Sequence, residues 1–333
     1  VTDGAEPTQT EIERAVATLR SGGLVAFPTE TVYGLGADAA NDDAVRRVFE
    51  VKGRPTDHPL IVHLADASQL DQWAASVSPT ASLLAGAFWP GPLTLLVERS
   101  SSVSPAVTGG RSTVGLRVPD HPVALELLRT FGGGIAAPSA NRFGRVSPTT
   151  AAHVLADLGD DVDLVLDGGP CRVGVESTIV DLTAERPVVL RAGGVSLDRL
   201  EEVLGHSVEV HVSNEPSNAG ARAPGMLEAH YAPNARVVLG SEHELVELLI
   251  DILKSANGPV GLLAESALVG LPEDIVVLEP AGTADDYAAV LYSRLRQADR
   301  LGLDVLVCVP PPAVGVGLAV NDRLRRAAAS SQG

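Results

Sequence analysis

The sequence predicts an α/β protein of two domains, on three observations. The chain has 333 residues, more than one ordinary core requires. Short apolar, β-branched runs alternate with segments whose apolar residues recur at helical spacing. Between residues 205 and 234 that regularity gives way to Asn214, Pro216, Asn218, Gly220, Pro224, Gly225 and Pro233. The limits read as a first domain over 1–206, a linker over 207–234 and a small C-terminal domain over 235–333.

In the first domain, Thr10-Glu11-Ile12-Glu13 has capping-box spacing and opens a helix whose stripe is Ile12, Val16 and Leu19, ended by Gly22 and Gly23. Residues 24–27 read as a strand stopping at Pro28. Thr29, Glu30, Thr31 and Tyr33 follow on irregular backbone before Gly34 and Gly36. Asn41 caps a helix running to about Val51, and 60–64 is a strand. Helices at 68–75 and 79–87 precede strands at 93–98 and 113–118. A helix at 121–131 leads to a strand at 135–138, a polar loop, and a helix from about Thr150. A strand at 163–167, a hairpin of 175–182 with 187–191, and a helix at 196–204 complete this domain. Beyond the linker, strands at 235–239, 260–264, 275–278 and 305–309 alternate with helices at 242–255, 284–301 and 318–329, the pattern of a parallel sheet.

Forty-two acidic against 25 basic residues give a net charge of -17, which excludes a broad basic face for nucleic acid. Aromatic residues are only 3%, leaving few stacking platforms for single strands. A cationic site must therefore be local, which suits a small phosphorylated ligand. Two distant cysteines support neither a disulfide framework nor a Cys-based zinc site. The longest uncharged run, 72–97, is broken by Pro79, Pro90 and Pro92, and the acidic N-terminal stretch lacks the order of a signal peptide. A cytoplasmic protein is expected.

The densest polar cluster spans 27–64. Lys52, Gly53 and Arg54 end its helix, where cations offset the partial charge of the last carbonyls. The chain has only two lysines, Lys52 and Lys254, so an ammonium beside an arginine fork also suits a polyphosphate. His58 and His63 lack a third residue at metal spacing, and His63 reads either as a hydrogen-bonded structural residue or as part of the cluster. Arg117, on an apolar strand, requires an anionic partner, either a protein carboxylate or a ligand's. Ser139, Asn141, Arg142, Arg145 and Ser147 follow a strand on a loop, where they cap turns or face a ligand. There is no GxxxxGK[ST] loop, GxSxG elbow or HExxH, and no GxGxxG after a strand. Hydroxyls, amides and scattered cations without a dedicated nucleophile fit chemistry driven by positioning and charge stabilisation at a phosphate.

Seven segments occur in series: FPTETVYGLGADA, VKGRP with HPLIVHL, FWPGPLTLLV, TVGLRVP, APSANRFGRVSPT, GVESTIVDL and LRAGG. Together they resemble the YrdC-type domain of threonylcarbamoyl-AMP synthases. PGM and HYAP in the linker, with GVGLAVNDRLRRAA near the end, resemble the long two-domain form. The resemblance implies a YrdC-like twisted open sheet with a deep cavity, plus a smaller Rossmann-like C-terminal α/β domain. It implies L-threonine, ATP and bicarbonate or CO2 as substrates, Mg2+ bound mainly through the ATP phosphates, and a product consumed by tRNA-modifying partner proteins.

Carried over by position, Thr31, His63, Arg117, Ala137 and Ser177 would surround threonine. Lys52, Arg54, His58, Thr113, Ser139, Asn141, Ser147 and Arg191 would line the nucleotide, with Lys52 and Arg54 catalytic and Tyr231 contacting ATP as a lid. His58 stands where the family has Asn, and Leu227-Glu228-Ala229 replaces a more basic segment containing Tyr. Two other readings are an RNA-binding or ribosome-associated factor and an enzyme forming carbamoyl adenylate from carbamoyl phosphate. The latter reaction belongs to related domains in hydrogenase maturation proteins, which carry zinc-finger Cys clusters absent here.

Overall fold

Strand and helix alternation produces two compact units in the computed structural model, which describes residues 7–211 and 231–330. One unit holds the described residues up to Phe143, together with Ser147–Arg172 and Glu176 onward to residue 211. The other holds Gly144–Val146, Val173–Val175 and the residues from Tyr231 on. Met226, the Leu227-Glu228-Ala229 segment and His230 lie outside the described residues.

The first unit opens with α1 (Gln9–Arg20), capped by Thr8. The Thr8 backbone N–H donates to Glu11 Oε2 at 2.8 Å, closing a capping box two residues earlier than the spacing at Thr10 suggests. Ile12, Ala15, Val16 and Leu19 are buried on one face. After β1 (Val25–Phe27) the chain crosses the 28–33 loop into β2 (Gly34–Asp38), a strand not expected from its glycine-rich sequence. Packing demands those glycines: a Cβ on Gly36 would stand 2.8 Å from both the Phe27 ring and Ile135 Cγ2. Asn41 Oδ1 accepts from the backbone of Asp43 and Ala44 to start α2 (Asp42–Lys52), and Gly53 ends it at φ 63°.

The chain continues through β3 (Ile61–His63), α3 (Leu70–Trp73), α4 (Pro79–Phe88), β4 (Leu93–Glu98), α5 (Pro105–Thr108), β5 (Thr113–Arg117), α6 (Pro122–Phe131) and β6 (Ile135–Ala136). After the polar loop come α7 (Ala151–Leu158), β7 (Leu164–Val165), the β8 (Thr178–Asp181) and β9 (Val188–Arg191) hairpin, α8 (Leu197–Leu204) and β10 (Glu209–Val210). The ten strands form one mixed sheet in the order β10-β9-β8-β4-β5-β3-β6-β2-β1-β7. β10 pairs parallel to β9 at residues read from sequence as linker.

A strand sends alternate residues to opposite faces, and here the faces have different tasks. Val62, Leu93, Leu95, Val114 and Leu116 join the main core with α2 and α4. On the opposite face, Val25, Phe27, Ile135 and Ala137 pack under α1 and α6, while Ile61, Leu96, Ile179 and Leu190 form a small separate cluster.

The second unit has a four-stranded parallel sheet ordered β11-β14-β12-β13, from β11 (Arg236–Leu239), β12 (Val260–Leu263), β13 (Ile275–Val277) and β14 (Val305–Cys308). Its helices are α9 (Leu245–Ser255), α10 (Ala284–Arg300) and α11 (Gly317–Ala329). Tyr231, at φ 65°, is buried here, its ring stacked on Tyr292 at 5.5 Å with the Arg323 guanidinium 5.4 Å from its centre. Among the described residues, no helix is long and apolar enough to cross a membrane.

Candidate active site

Sheet parity selects the polar residues. Parallel pairing sets Ile61 beside Gly115 and His63 beside Arg117. Thr113, Gly115 and Arg117 therefore share a face with Ile61 and His63, opposite the main core. Gly115 keeps the floor low, since a Cβ there would lie 3.3 Å from Thr94 Cγ2. Thr94 Oγ1, on the neighbouring β4, and Ser177 Oγ, just before β8, hydrogen-bond at 2.8 Å. Arg191 Nη2 donates to the Ser177 carbonyl at 2.8 Å and to its hydroxyl at 3.1 Å. The structure thus joins Arg191 to Ser177, although the resemblance implied different ligands for them.

Arg117 is buried, and its Nε donates to the Gly91 carbonyl at 3.2 Å. Its Nη2 lies 2.7 Å from Glu30 Oε1, so the anion required by this buried cation is a protein carboxylate. Glu30 is itself buried, carried across the sheet by the 28–33 loop, and its Oε2 accepts from the Asp120 N–H at 3.0 Å. In the same loop, Thr29 and Thr31 pair their hydroxyls at 2.8 Å. Although ionic contact is close, neither Glu30 Oε1 nor Arg117 Nη2 is aligned for a hydrogen bond, and the adjacent His63 Nδ1 also has no partner. Burial, then the Arg117 charge, lowers the His63 pKa to about 3, leaving a neutral imidazole edge-on to Phe27. Buried polar atoms are normally satisfied, so an ion pair without hydrogen-bond alignment beside an unpartnered His63 Nδ1 leaves polar capacity there for a ligand.

A second group lies toward the beginning of β3. Lys52, at the end of α2, is buried and its Nζ donates to the Ser139 carbonyl at 2.5 Å and to the Asn141 carbonyl. Burial above all, then Arg54 and Arg142, holds its ammonium well below the ordinary lysine range. Arg54 donates through Nη2 to the Pro59 carbonyl at 3.1 Å, and its guanidinium lies 5.8 Å from the Phe143 ring centre. His58 packs edge-on against the same ring, its pKa lowered by burial and then by Arg54. Thr113, half-buried, begins β5 at this end. The Ala137 N–H donates to the Ile61 carbonyl, and Ser139 bridges to Gly34, fixing the polar loop beside β3 and β2. Ser147 donates to Glu176 Oε1 at 2.7 Å and is fully buried.

The sequence reading passed over Glu30, Glu176, Thr94 and Phe143 as site residues. Only Glu30 carried a signal, as an acid among the hydroxyls following β1. Tyr231, expected from the resemblance to contact ATP as a lid, packs within the second unit against Tyr292 and Arg323.

A Sua5/YciO/YrdC family model, described as telomere recombination, matches residues 17–193. A second model, described as the threonylcarbamoyl-AMP synthase C-terminal domain, matches 195–329. A threonylcarbamoyl-AMP synthase of Pyrococcus abyssi is 42% identical over 323 residues, covering 95% of this chain and 94% of the relative. One of Bacillus subtilis is 42% identical over 335 residues, covering 98% and 96%. The crystal structure of P. abyssi Sua5 complexed with L-threonine superposes with a TM-score of 0.91 at 40% identity, covering 98% of this chain and 96% of that one. On both domains and along nearly its whole length, this chain belongs to the threonylcarbamoyl-AMP synthase family.

Proposed function

We propose that the protein converts L-threonine, bicarbonate or CO2, and ATP to threonylcarbamoyl adenylate and pyrophosphate. The observation that carries this reading is the polar group around Arg117 on one sheet face together with a second, cationic group, Lys52 and Arg54, toward the beginning of β3. Four strand steps separate Thr113 from Arg117, about 13 Å at 3.3 Å per residue. Two ligands in line fit such a span better than one. Arg117, with His63, Thr31, Ala137 and Ser177 around it, suits a small amino acid. Lys52 and Arg54, with His58, Thr113, Ser139, Asn141 and Ser147, suit a nucleotide polyphosphate, and Arg191, level with Arg117 across β4 and β8, braces the Ser177 backbone.

The threonine amine, after losing a proton, adds to the carbon of CO2 to give a carbamate. A carbamate oxygen then attacks the α-phosphorus of ATP, the bond to the β-phosphate oxygen breaks, and pyrophosphate leaves. No protein nucleophile is needed. The protein aligns two bound reactants and neutralises charge on the phosphates, work suited to the Lys52 ammonium and Arg54 fork. Mg2+ would arrive on ATP phosphate oxygens and supply further charge neutralisation there. The side chains at that end include the cations Lys52 and Arg54, which suit phosphate rather than a protein-held metal.

The product would be consumed by proteins that transfer threonylcarbamoyl to tRNA in the cytoplasm, and the net charge of -17 fits an enzyme that need not hold the tRNA itself. The test is pyrophosphate release from ATP and bicarbonate with and without L-threonine. Lys52→Ala and Arg54→Ala should each lower the threonine-dependent rate by roughly 10²-fold or more, the scale of removing one charge-stabilising donor. Release that ignores threonine refutes the reading.

A further inference from the structure

We propose that Glu30 receives the α-ammonium group of the amino-acid substrate, so that Arg117 and Glu30 form a two-ended site selecting a zwitterion. This inference rests on the proposed reaction and names what confers its substrate class. Each half of the pair is held from behind by backbone: Glu30 Oε2 by the Asp120 N–H at 3.0 Å, and Arg117 Nε by the Gly91 carbonyl at 3.2 Å. The facing atoms, Oε1 and Nη2, form a buried ion pair at 2.7 Å that lacks hydrogen-bond alignment.

An ion pair serving stability alone would use the parallel fork available to arginine and carboxylate, because only good geometry offsets the desolvation of two buried charges. What stands instead is a positive and a negative group, each anchored by one backbone contact, in an ion pair that lacks hydrogen-bond alignment. The neutral His63 edge, with its own unpartnered Nδ1, lies next to Arg117. An α-amino acid carries the matching pair, a carboxylate for Arg117 and an ammonium for Glu30. A simple hydroxy acid of the same size supplies only the carboxylate, and it would leave Glu30 facing an apolar carbon and unsatisfied.

The experiment compares binding of L-threonine and of 3-hydroxybutanoate, its deaminated counterpart, by calorimetry to the full chain and to Glu30→Gln, which keeps the side-chain size and removes the charge. Wild type should prefer threonine. Glu30→Gln should weaken threonine by roughly tenfold or more, the scale of a hydrogen bond to a charged group, while leaving the hydroxy acid unchanged or tighter. Equal weakening of both ligands would mean that Glu30 only positions Arg117, and an unchanged threonine affinity would place Glu30 outside the site; either result overturns the proposal. If Glu30→Gln does not fold, Glu30→Asp, which draws the carboxylate back by one methylene, decides: a smaller preference for threonine with unchanged hydroxy-acid binding supports the proposal, and an unchanged preference, whether both ligands weaken equally or neither does, contradicts it. Absence of threonine binding by wild type would overturn the proposed reaction itself, a separate result from these.

Discussion

Acid should destabilise the first unit through His63 by a calculable amount. The ring is buried on the sheet face, and burial with the Arg117 charge lowers its pKa from 6.5 to about 3. Between those values the unfolded chain binds a proton that the folded ring refuses. Stability therefore rises with pH across that window and is lost as pH falls through it. At about pH 4 the loss is ~3 kcal/mol, from roughly 1.4 kcal/mol per pH decade. His63→Leu removes the titration while keeping a side chain of similar bulk. Urea unfolding followed by tryptophan fluorescence reports this unit directly, because both tryptophans, Trp73 and Trp89, lie in it. Relative to wild type, His63→Leu should gain about 3 kcal/mol between pH 7 and pH 4. Parallel stability curves for the two proteins would refute the neutral, buried imidazole.

Three further outcomes follow from named contacts. Phosphate bound beside Lys52, as proposed, would favour its charged form, so ATP should bind with proton uptake and more tightly as pH falls through the depressed Lys52 value; calorimetry in buffers of different ionisation enthalpy measures this, and Lys52→Arg should abolish it. Gly193→Ala would drive a Cβ into the backbone at Glu176, Ser177 and Thr178; it should cost about 1–3 kcal/mol in a thermal melt and lower activity by displacing Ser177. Tyr231→Ala removes the ring between Tyr292 and Arg323 and should destabilise the second unit by about 3–5 kcal/mol, read by calorimetric unfolding of the full chain.

The alternation of runs made the class of both units legible, and the second unit's parallel sheet follows it strand for strand. Local signals succeeded where one residue does one job, as with Asn41 at the start of α2 and Gly53 at its end. They failed where the reason is distant. β2 gave no strand signal because its glycines suit a strand only through the Phe27 ring and Ile135 packed against them. Thr8 and Thr10 both stand three residues before a glutamate, and nothing local decides between them. Arg117 announced its need for an anion, but Glu30 as the answer depends on a loop crossing the sheet face. Likewise, the pairing of Ser147 with Glu176 brings together segments whose proximity no periodicity encodes.

The most direct test of the central claim is mass spectrometry of the adenylate formed from ATP, L-threonine and 13C-labelled bicarbonate. The account predicts an AMP ester that contains threonine and the heavy carbon, appears in step with pyrophosphate, and is lost in Lys52→Ala. An adenylate of threonine lacking that carbon, or the labelled product at undiminished rate in Lys52→Ala, would contradict it.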